Sequence, residues 1–197
     1  MEIRRRHKGL IKNPERLSDV RLACEGDRQA FGRLIDDYGG LVYTLLQRMV
    51  RDNDTAEDLA QDTFVKAWTR LRSLRRHASF PSWICSTARR TALDYMRTIR
   101  ARKEVSMPEE SFVDTPDERK PELSAEGITL LEEAVGKLSV RDRQLITLAY
   151  WNELSFTDVG RIMGIPEPNV RVYLHRARKR LREHLRGHEN ELLQQIN

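Results

Sequence analysis

The sequence of 197 residues has little of what marks a secreted, membrane-embedded or disulfide-rich protein. Its only cysteines, Cys24 and Cys85, provide neither a disulfide framework nor a CxxC pair of metal ligands. No apolar run approaches the roughly 18 residues of a membrane span, and the charged N-terminus lacks the apolar segment of a secretory signal. These absences favour a protein of the reducing cytoplasm whose two thiols pack in the core.

Strand signals are also nearly absent. The chain has no sustained apolar–polar alternation and no Asn-Gly or Asp-Gly turn between apolar runs. Apolar residues recur instead at the spacing of 3–4 residues that is typical of helices. We expect Asp54 and Glu57 to cap one helix and Pro81 to lie in the first turn of another. Further along the chain, we expect Ser139, with Asp142 three residues on, to cap a helix over Arg141–Trp151. These features predict an all-α bundle of about four helices, with apolar faces at Phe31, Leu34, Ile35 and Tyr38, at Leu41, Leu45, Leu46 and Met49, and at Leu59, Phe64, Ala67, Trp68 and Leu71.

Charge divides the chain into three parts, although the net charge is only +5. Residues 1–103 are net +9, residues 104–126 net −6 and residues 127–197 net +2. The middle part combines three prolines with eight acidic residues and few apolar ones, so it is predicted to be an extended linker. Basic surfaces on either side suit a polyanion partner. The predicted division is a flexible basic arm (1–17), a first domain (18–103), an acidic linker (104–126) and a second domain (127–190).

The strongest local signal lies between residues 154 and 185. Ser155 and Asp158 form a capping pair for a short helix, and Gly164 tolerates positive φ where that helix must end. A second helix follows, with a predicted buried stripe at Val170, Leu174, Ala177 and Leu181. A short helix, a glycine turn and a second helix predict a helix-turn-helix, whose second helix enters the major groove of DNA.

The second helix of this motif is strongly basic. From Arg161 to Arg186, with both end residues counted, there are eight Lys and Arg residues but only two acidic residues. The first turns of a recognition helix reach base edges, while later basic residues meet phosphates. We therefore expect base contacts from Arg171, Val172 and His175, and mainly backbone contacts from Arg176, Arg178 and Lys179.

Two motifs of the first domain have open interpretations. Asp58, Gln61 and Asp62 share one helical face, which suits either a basic groove on a partner protein or ordinary solvent. Residues 73–103 mix aromatic with basic side chains, and this mixture suits unstacked bases on a charged platform. The same mixture is also produced by core aromatics beside surface arginines, and we favour the core for Trp83 and Tyr95.

Together these motifs resemble bacterial RNA polymerase sigma factors of the extracytoplasmic-function (ECF, group IV) family of the sigma-70 type. Residues 56–71 are similar to region 2.2 of that family, residues 80–97 to region 2.4 and residues 131–181 to region 4. The resemblance implies two small helical domains, a region 2 four-helix bundle and a region 4 helix-turn-helix, joined by the acidic linker. It implies a non-catalytic subunit, without cofactor or metal, that directs the polymerase to promoters and helps to open DNA.

The resemblance also implies partners and site residues. The partners would be core RNA polymerase, through its β′ clamp helices and β flap, promoter DNA, and an anti-sigma factor that holds the protein inactive in the cytoplasm. Core-polymerase contacts are then expected from Asp58, Gln61, Asp62 and Phe64. Contacts with the −10 element during melting are expected from Arg75, Arg76, Phe80, Trp83, Arg89, Arg90 and Arg97, and residues 155–182 would read the −35 element.

Two positions depart from the family pattern. Arg90 stands where Asn is common and Thr87 where a bulky aliphatic is common, which bears on the −10 sequence preference.

Two other classes of protein stay open. A stand-alone helix-turn-helix regulator would need a dimer and a palindromic site, and no dimer face is evident. A Mg²⁺-dependent nuclease would use Glu57, Asp58 and Asp62, which have no His or Lys partner at a fixed spacing.

Overall fold

The computed structural model describes residues 14–105, 125–152 and 154–186, and within these ranges every regular element is a helix. This confirms the predicted all-α class. Most of the predicted basic arm and acidic linker lies outside the described residues, although helices already begin at Pro14 and Ala125. In chain order the helices are α1 (Pro14–Glu25), α2 (Arg28–Val50), α3 (Asn53–Arg70), α4 (Phe80–Val105), α5 (Ala125–Gly136), α6 (Val140–Ile146), α7 (Phe156–Met163) and α8 (Glu167–Leu185). Two 3₁₀ turns, Leu71–Ser73 and His77–Ser79, precede α4, and a π-helical turn, Thr147–Trp151, follows α6.

Helix α2 is the centre of the first domain because one of its faces is buried along the whole length. Leu34, Leu41 and Leu45 are each 0% exposed, and the helix packs against α1, α3 and α4. Asp27 caps the helix by accepting two backbone N–H bonds from its first turn. Ile35 shares the predicted apolar spacing but lies at the edge of the buried face, where it is 38% exposed.

The N-cap of helix α3 is Asp52. One of its carboxylate oxygens accepts a hydrogen bond from the Thr55 N–H at 2.8 Å. The predicted cap, Asp54, lies within the first turn, so that prediction is wrong by two residues. The backbone at Asp52 is extended, with φ −145° and ψ 124°, which is the conformation that an N-cap requires. Hydrogen bonds from Thr55 lower the pKa of Asp52 because they stabilise its charged form.

The second domain is built from α5 to α8, and its local signals match the sequence. Ser139 caps α6 by accepting from the Asp142 N–H at 3.2 Å, and Ser155 caps α7 by accepting from the Asp158 N–H at 3.1 Å. Gly164 ends α7 in the left-handed region with φ 68°. These capping and turn predictions are confirmed.

The two domains are in contact with each other. Buried apolar side chains from both domains belong to one continuous cluster, with α4 packed on α7 and α2 on α6. Polar bonds also cross the boundary. The Asn152 amide donates to the Leu41 carbonyl at 3.4 Å, and Arg89 Nε donates to Gln144 Oε1 at 2.9 Å. The described chain is therefore in a closed arrangement, in which each domain covers part of the other.

Both cysteines pack among the helices of the first domain. Cys85 is 0% exposed, and the half-buried Cys24 donates its thiol to the Leu71 carbonyl at 3.4 Å. Burial raises the pKa of both thiols, which keeps them protonated near neutral pH.

Within the described ranges, no helix combines the length and the apolar character that crossing a bilayer demands.

Replacing Asp52 by Ala should lower the free energy of unfolding by about 1 kcal/mol, because the first turn of α3 loses its acceptor. Asp54→Ala is the matched control and should cost no more than about 0.5 kcal/mol, since Asp54 offers only its charge to the helix dipole. Urea unfolding measures both changes. The cost of Asp52→Ala should fade as the pH falls through the lowered pKa of Asp52, and equal costs for both variants would contradict the cap assignment.

Candidate functional site

An acidic stripe runs along the outer face of α3. Asp58, Gln61 and Asp62 are exposed, and Val65 continues their spacing along the same helical face. Val65 is 62% exposed, more than any other large apolar side chain that the structure describes. We call these four residues the acidic stripe. Sequence reasoning missed Val65, although it lies two turns beyond Asp58 on the face already identified.

The inner face of α3 holds the stripe in place. Phe64, predicted to contact core polymerase, is 7% exposed, and its ring lies edge-on to that of Phe31 with centroids 6.4 Å apart. Phe64 therefore does not reach the stripe's surface and instead supports it from the core. On the outer face, Lys66 Nζ contacts Asp62 at 3.1 Å, whereas Asp58 has no cationic partner among the described residues.

A basic surface is formed by α4 and by the turns that precede it. Arg75, Arg76, Arg90 and Arg97 are exposed, as the predicted contact with DNA requires. Arg89 differs from these four because it is half-buried against the second domain. Burial, and then the nearby charge of Arg141, lower the pKa of Arg89. The guanidinium nevertheless remains charged at any physiological pH.

The aromatic residues of this surface lie mostly in the core. Phe80 is 0% exposed, and its ring centroid lies 5.2 Å from that of Tyr38 and 5.9 Å from that of Trp83. Trp83 and Tyr95 are half-buried and pack against the same core. The sequence analysis favoured a core position for both residues. The predicted −10 contact from Phe80 is not available in this closed structure, because its ring has no surface left on which a base could stack.

A cleft of about 440 Å³ lies between α4 and α7. Asp94 is the only carboxylate in its lining, where it pairs with Arg97 at 3.2 Å, while Arg161 pairs with Asp158 of α7 at 2.7 Å. Arg161 was not a predicted site residue, and it donates to the Ser82 hydroxyl of α4 at 3.3 Å. No local pattern could have found it, because its place in the cleft depends on the packing of the two domains. The arginines that line the cleft are Arg89, Arg90, Arg97 and Arg161.

Helices α7 and α8 form the predicted helix-turn-helix. Gly160 allows the turn to lie close to α7, because a Cβ atom there would sit 2.8 Å from the Ile165 carbonyl oxygen. The Thr157 hydroxyl donates to a Glu167 carboxylate oxygen at 2.6 Å, which ties the two helices together at their entry. The inner face of α8 is buried at Val170, Leu174 and Ala177, and Leu181 is half-buried.

The residues of α8 that were predicted to contact DNA are all exposed. The Arg171 guanidinium lies over the ring of Phe156, 5.5 Å from its centroid, and this cation–π contact orients the side chain. Arg180, in contrast, pairs with Asp142 at 2.7 Å and so anchors α8 on α6. The exposed set comprises Arg171, Val172, His175, Arg176, Arg178 and Lys179.

The described part of the chain contains no group of three His, Cys, Asp or Glu side chains that could hold a metal ion. Glu57, Asp58 and Asp62, the candidate set for Mg²⁺, are instead exposed along α3. The structure thus presents an acidic stripe, an arginine-lined cleft and an exposed recognition helix. These surfaces suit binding to a protein and to DNA.

Two family models match the two domains separately. Sigma-70 region 2 matches residues 34–102, and Sigma-70, region 4 matches residues 128–181. The chain is 31% identical to the ECF RNA polymerase sigma factor SigM of Bacillus subtilis (strain 168), over 72% of this chain and 86% of SigM. It is 28% identical to the ECF RNA polymerase sigma factor SigW of the same strain, over 85% of this chain and 95% of SigW.

A solved structure shares the fold. The co-crystal structure of the sigma factor RpoE with the anti-sigma factor NepR from Bartonella quintana matches with a TM-score of 0.69 and 24% identity, covering 80% of this chain and 97% of that one. Fold and sequence together define a sigma factor of the sigma-70 class. Within that class, the chain belongs to the extracytoplasmic-function family of RNA polymerase sigma factors. The resemblance drawn from its motifs is confirmed, and the chain is not an enzyme.

Gly160→Ala should destabilise the second domain by about 1–3 kcal/mol, because the new methyl group would meet a backbone oxygen that cannot move away. Gly32→Ala in α2 is the matched control. A Cβ there meets nothing within 4 Å, so the exchange should leave stability unchanged or raise it by up to about 1 kcal/mol. Thermal unfolding followed by circular dichroism compares them, and an equally stable Gly160→Ala chain would contradict the close approach.

Proposed function

We propose that this chain is the promoter-specificity subunit of a bacterial RNA polymerase. It binds the core enzyme, recognises the −35 and −10 promoter elements and helps to separate the DNA strands, while the core enzyme supplies the chemistry. The observation that carries this proposal is the presence, in one chain of the ECF family, of an exposed acidic stripe on one domain and an exposed basic recognition helix on the other. A stand-alone regulator would leave the acidic stripe without a use.

The acidic stripe is the proposed contact with the β′ clamp helices. Exposed carboxylates at Asp58 and Asp62 repel nucleic acid and attract a basic protein groove, so they favour polymerase over DNA at this face. Val65 places an apolar side chain on the same face, and apolar contacts within a polar rim are typical of protein interfaces. The second domain is proposed to bind the β flap.

The recognition helix α8 is the proposed reader of the −35 element. Its first exposed residues, Arg171, Val172 and His175, are assigned to base edges in the major groove. Arg176, Arg178 and Lys179 are assigned mainly to phosphates, which set affinity and salt dependence rather than sequence preference. The stacking of Arg171 on Phe156 supports its assignment, since an oriented guanidinium can bond a guanine through two parallel hydrogen bonds.

The basic surface around α4 is the proposed site for the melted −10 element. Capturing an unpaired base costs a few kcal/mol of lost stacking and pairing, which contacts with the extruded strand must offset. The exposed arginines supply phosphate contacts, and the half-buried Trp83 is the aromatic side chain proposed to meet a base. Phe80 is assigned to the support of Trp83 from the core.

An anti-sigma factor and a cytoplasmic location complete the proposal. The similar sigma factor RpoE was solved in complex with the anti-sigma factor NepR, and a partner of the same kind is proposed for this chain. The cytoplasm is proposed because the core polymerase and the chromosome are both found there. The two protonated thiols, the buried Cys85 and the half-buried Cys24, are compatible with that reducing compartment.

The double change Asp58→Arg/Asp62→Arg should lower run-off transcription with core polymerase at least about tenfold, because like charges then face the basic clamp. The matched control is Asp36→Arg/Glu133→Arg, which makes the same change in net charge at exposed carboxylates outside the stripe. Binding of each variant to core polymerase is measured in parallel. If the Asp58→Arg/Asp62→Arg chain supports full transcription, the acidic stripe is not the contact with core polymerase.

Arg171→Ala and Lys179→Ala should weaken binding of the holoenzyme to promoter DNA in different ways. Arg171→Ala should cost about 1–3 kcal/mol and relax the preference at one base pair of the −35 element. Lys179→Ala should weaken binding uniformly across sequences and reduce the slope against salt concentration by about 1. Competition binding on a library of −35 variants separates these patterns, and the opposite pattern would reverse the two assignments.

A further inference from the structure

The long polar side chains of α8 are divided between two opposite faces of the helix. Residues seven positions apart fall on nearly the same face, because seven residues make almost two full turns. Arg171 and Arg178 therefore share one face, and Tyr173 and Arg180 share another. A step of two residues turns the helix by about 200°, so the second face is nearly opposite to the first. Arg180 thus lies on the side of α8 that is turned away from Arg171 and Arg178.

The first turn of α6 meets α8 on that second face. The Arg141 guanidinium lies over the ring of Tyr173, 4.2 Å from its centroid. The next residue of α6, Asp142, accepts a hydrogen bond from Arg180 Nη1 at 2.7 Å. Two adjacent residues of α6 therefore hold α8 at two points that are about 10 Å apart along its axis. Contacts at two points on one side of a helix oppose its rotation about that axis.

The ion pair between Asp142 and Arg180 is stronger than an ordinary surface pair, because one partner is almost fully desolvated. The Asp142 side chain is 8% exposed, and that of Arg180 is 54% exposed. A buried carboxylate depends on its partner, whereas a half-exposed guanidinium can be solvated without one. The backbone of Asp142 is also fixed, since its N–H donates to the Ser139 hydroxyl that caps α6. Helix α6 therefore offers α8 a rigid point of attachment.

The other contacts of α8 constrain its rotation less. Its buried stripe consists of Val170, Leu174 and Ala177, and apolar packing has no directional preference. The hydrogen bond between Thr157 and Glu167 holds only the first turn. Reading a base edge is directional, because its hydrogen bonds require 2.7–3.2 Å between heavy atoms. A rotation of about 10° moves an atom that lies about 6 Å from the helix axis by about 1 Å, which is enough to lose such a bond.

We propose that Asp142 and Arg180 are positioning residues for recognition of the −35 element. They set the rotation of α8, and this rotation determines how its base-reading side chains meet the major groove. The cation–π contact on Tyr173 supports the same orientation. That α8 reads the −35 element rests on the proposed function, whereas the contact with α6 is a property of the chain itself. An acidic residue thereby favours recognition of DNA, although its charge repels phosphates.

Asp142→Asn in the full-length chain tests the proposal, because orientation and charge predict opposite results. The change raises the net charge by one, so charge alone would strengthen binding of the holoenzyme to every sequence. Loss of positioning should instead lower the −35 discrimination by about fivefold. This discrimination is the affinity for the best sequence in a library of −35 variants divided by the mean affinity for the library. Glu183→Gln is the matched control, since it removes an exposed carboxylate of α8 and should preserve the discrimination.

Changes at Arg180 test whether the two residues act through one bond. Arg180→Gln should lower the discrimination as much as Asp142→Asn does, and the double variant should lower it no further. Arg180→Lys should retain most of the discrimination, since an ammonium group can also pair with the carboxylate. Arg178→Gln provides the contrast. Loss of its phosphate contact should weaken binding equally for all sequences and reduce the slope against salt concentration by about 1.

The second readout needs neither DNA nor polymerase. Amide signals of the free full-length chain are compared by two-dimensional NMR. If α8 turns as a unit, Asp142→Asn should shift the signals of Arg171 and Val172, which lie about two turns or more before Arg180 along the helix. Glu183→Gln should shift only the signals of its neighbours.

Three results would overturn the proposal. The first is stronger binding of Asp142→Asn to all sequences, or costs of the two single changes that add in the double variant, because Arg180 would then act independently. The second is equal weakening for all sequences, because the pair would then only support the fold. The third is a set of amide shifts confined to the neighbours of Asp142 and Arg180. A wild-type holoenzyme without −35 discrimination would count against the proposed function, and the NMR comparison would still decide whether α6 orients α8.

Discussion

The structure depends above all on the burial of one face of helix α2. Leu34, Leu41 and Leu45 lose all their exposed surface there, and each such side chain contributes about 1.5–3 kcal/mol of hydrophobic stabilisation. Helices α1, α3 and α4 are positioned by packing on this face. Because α3 carries the acidic stripe and α4 carries the basic surface, the placement of both follows from the same buried helix.

Surfaces of opposite charge lie on neighbouring helices of one small bundle. Lys66 lies between them, with its ammonium group 3.1 Å from Asp62 and 3.5 Å from the Thr91 hydroxyl of α4. Opposite charges on adjacent faces suit the two partners proposed for this domain, since an acidic face repels DNA and a basic face attracts it.

Features that depend on neighbouring residues were predictable from the sequence. The helix-turn-helix, the caps at Ser139 and Ser155 and the turn at Gly164 each depend on residues within about one helical turn of one another. The cap of α3 was placed two residues too late, because Asp52 and Asp54 both carry a suitable side chain and only the backbone conformation distinguishes them. The all-α class and the two-domain division were likewise predicted from patterns among residues that are close together in the sequence.

The sequence by itself determined which segments are helical, which faces are charged and which family the motifs resemble. Only the tertiary structure decided that Phe64 and Phe80 are buried, that Arg161 shares a cleft with α4, and that Arg48 meets Glu132, 84 positions further along the chain. Helical periodicity states which side of a helix is apolar, but it does not state which other helix covers that side. Contacts between distant segments are set by packing and shape, which no local pattern encodes.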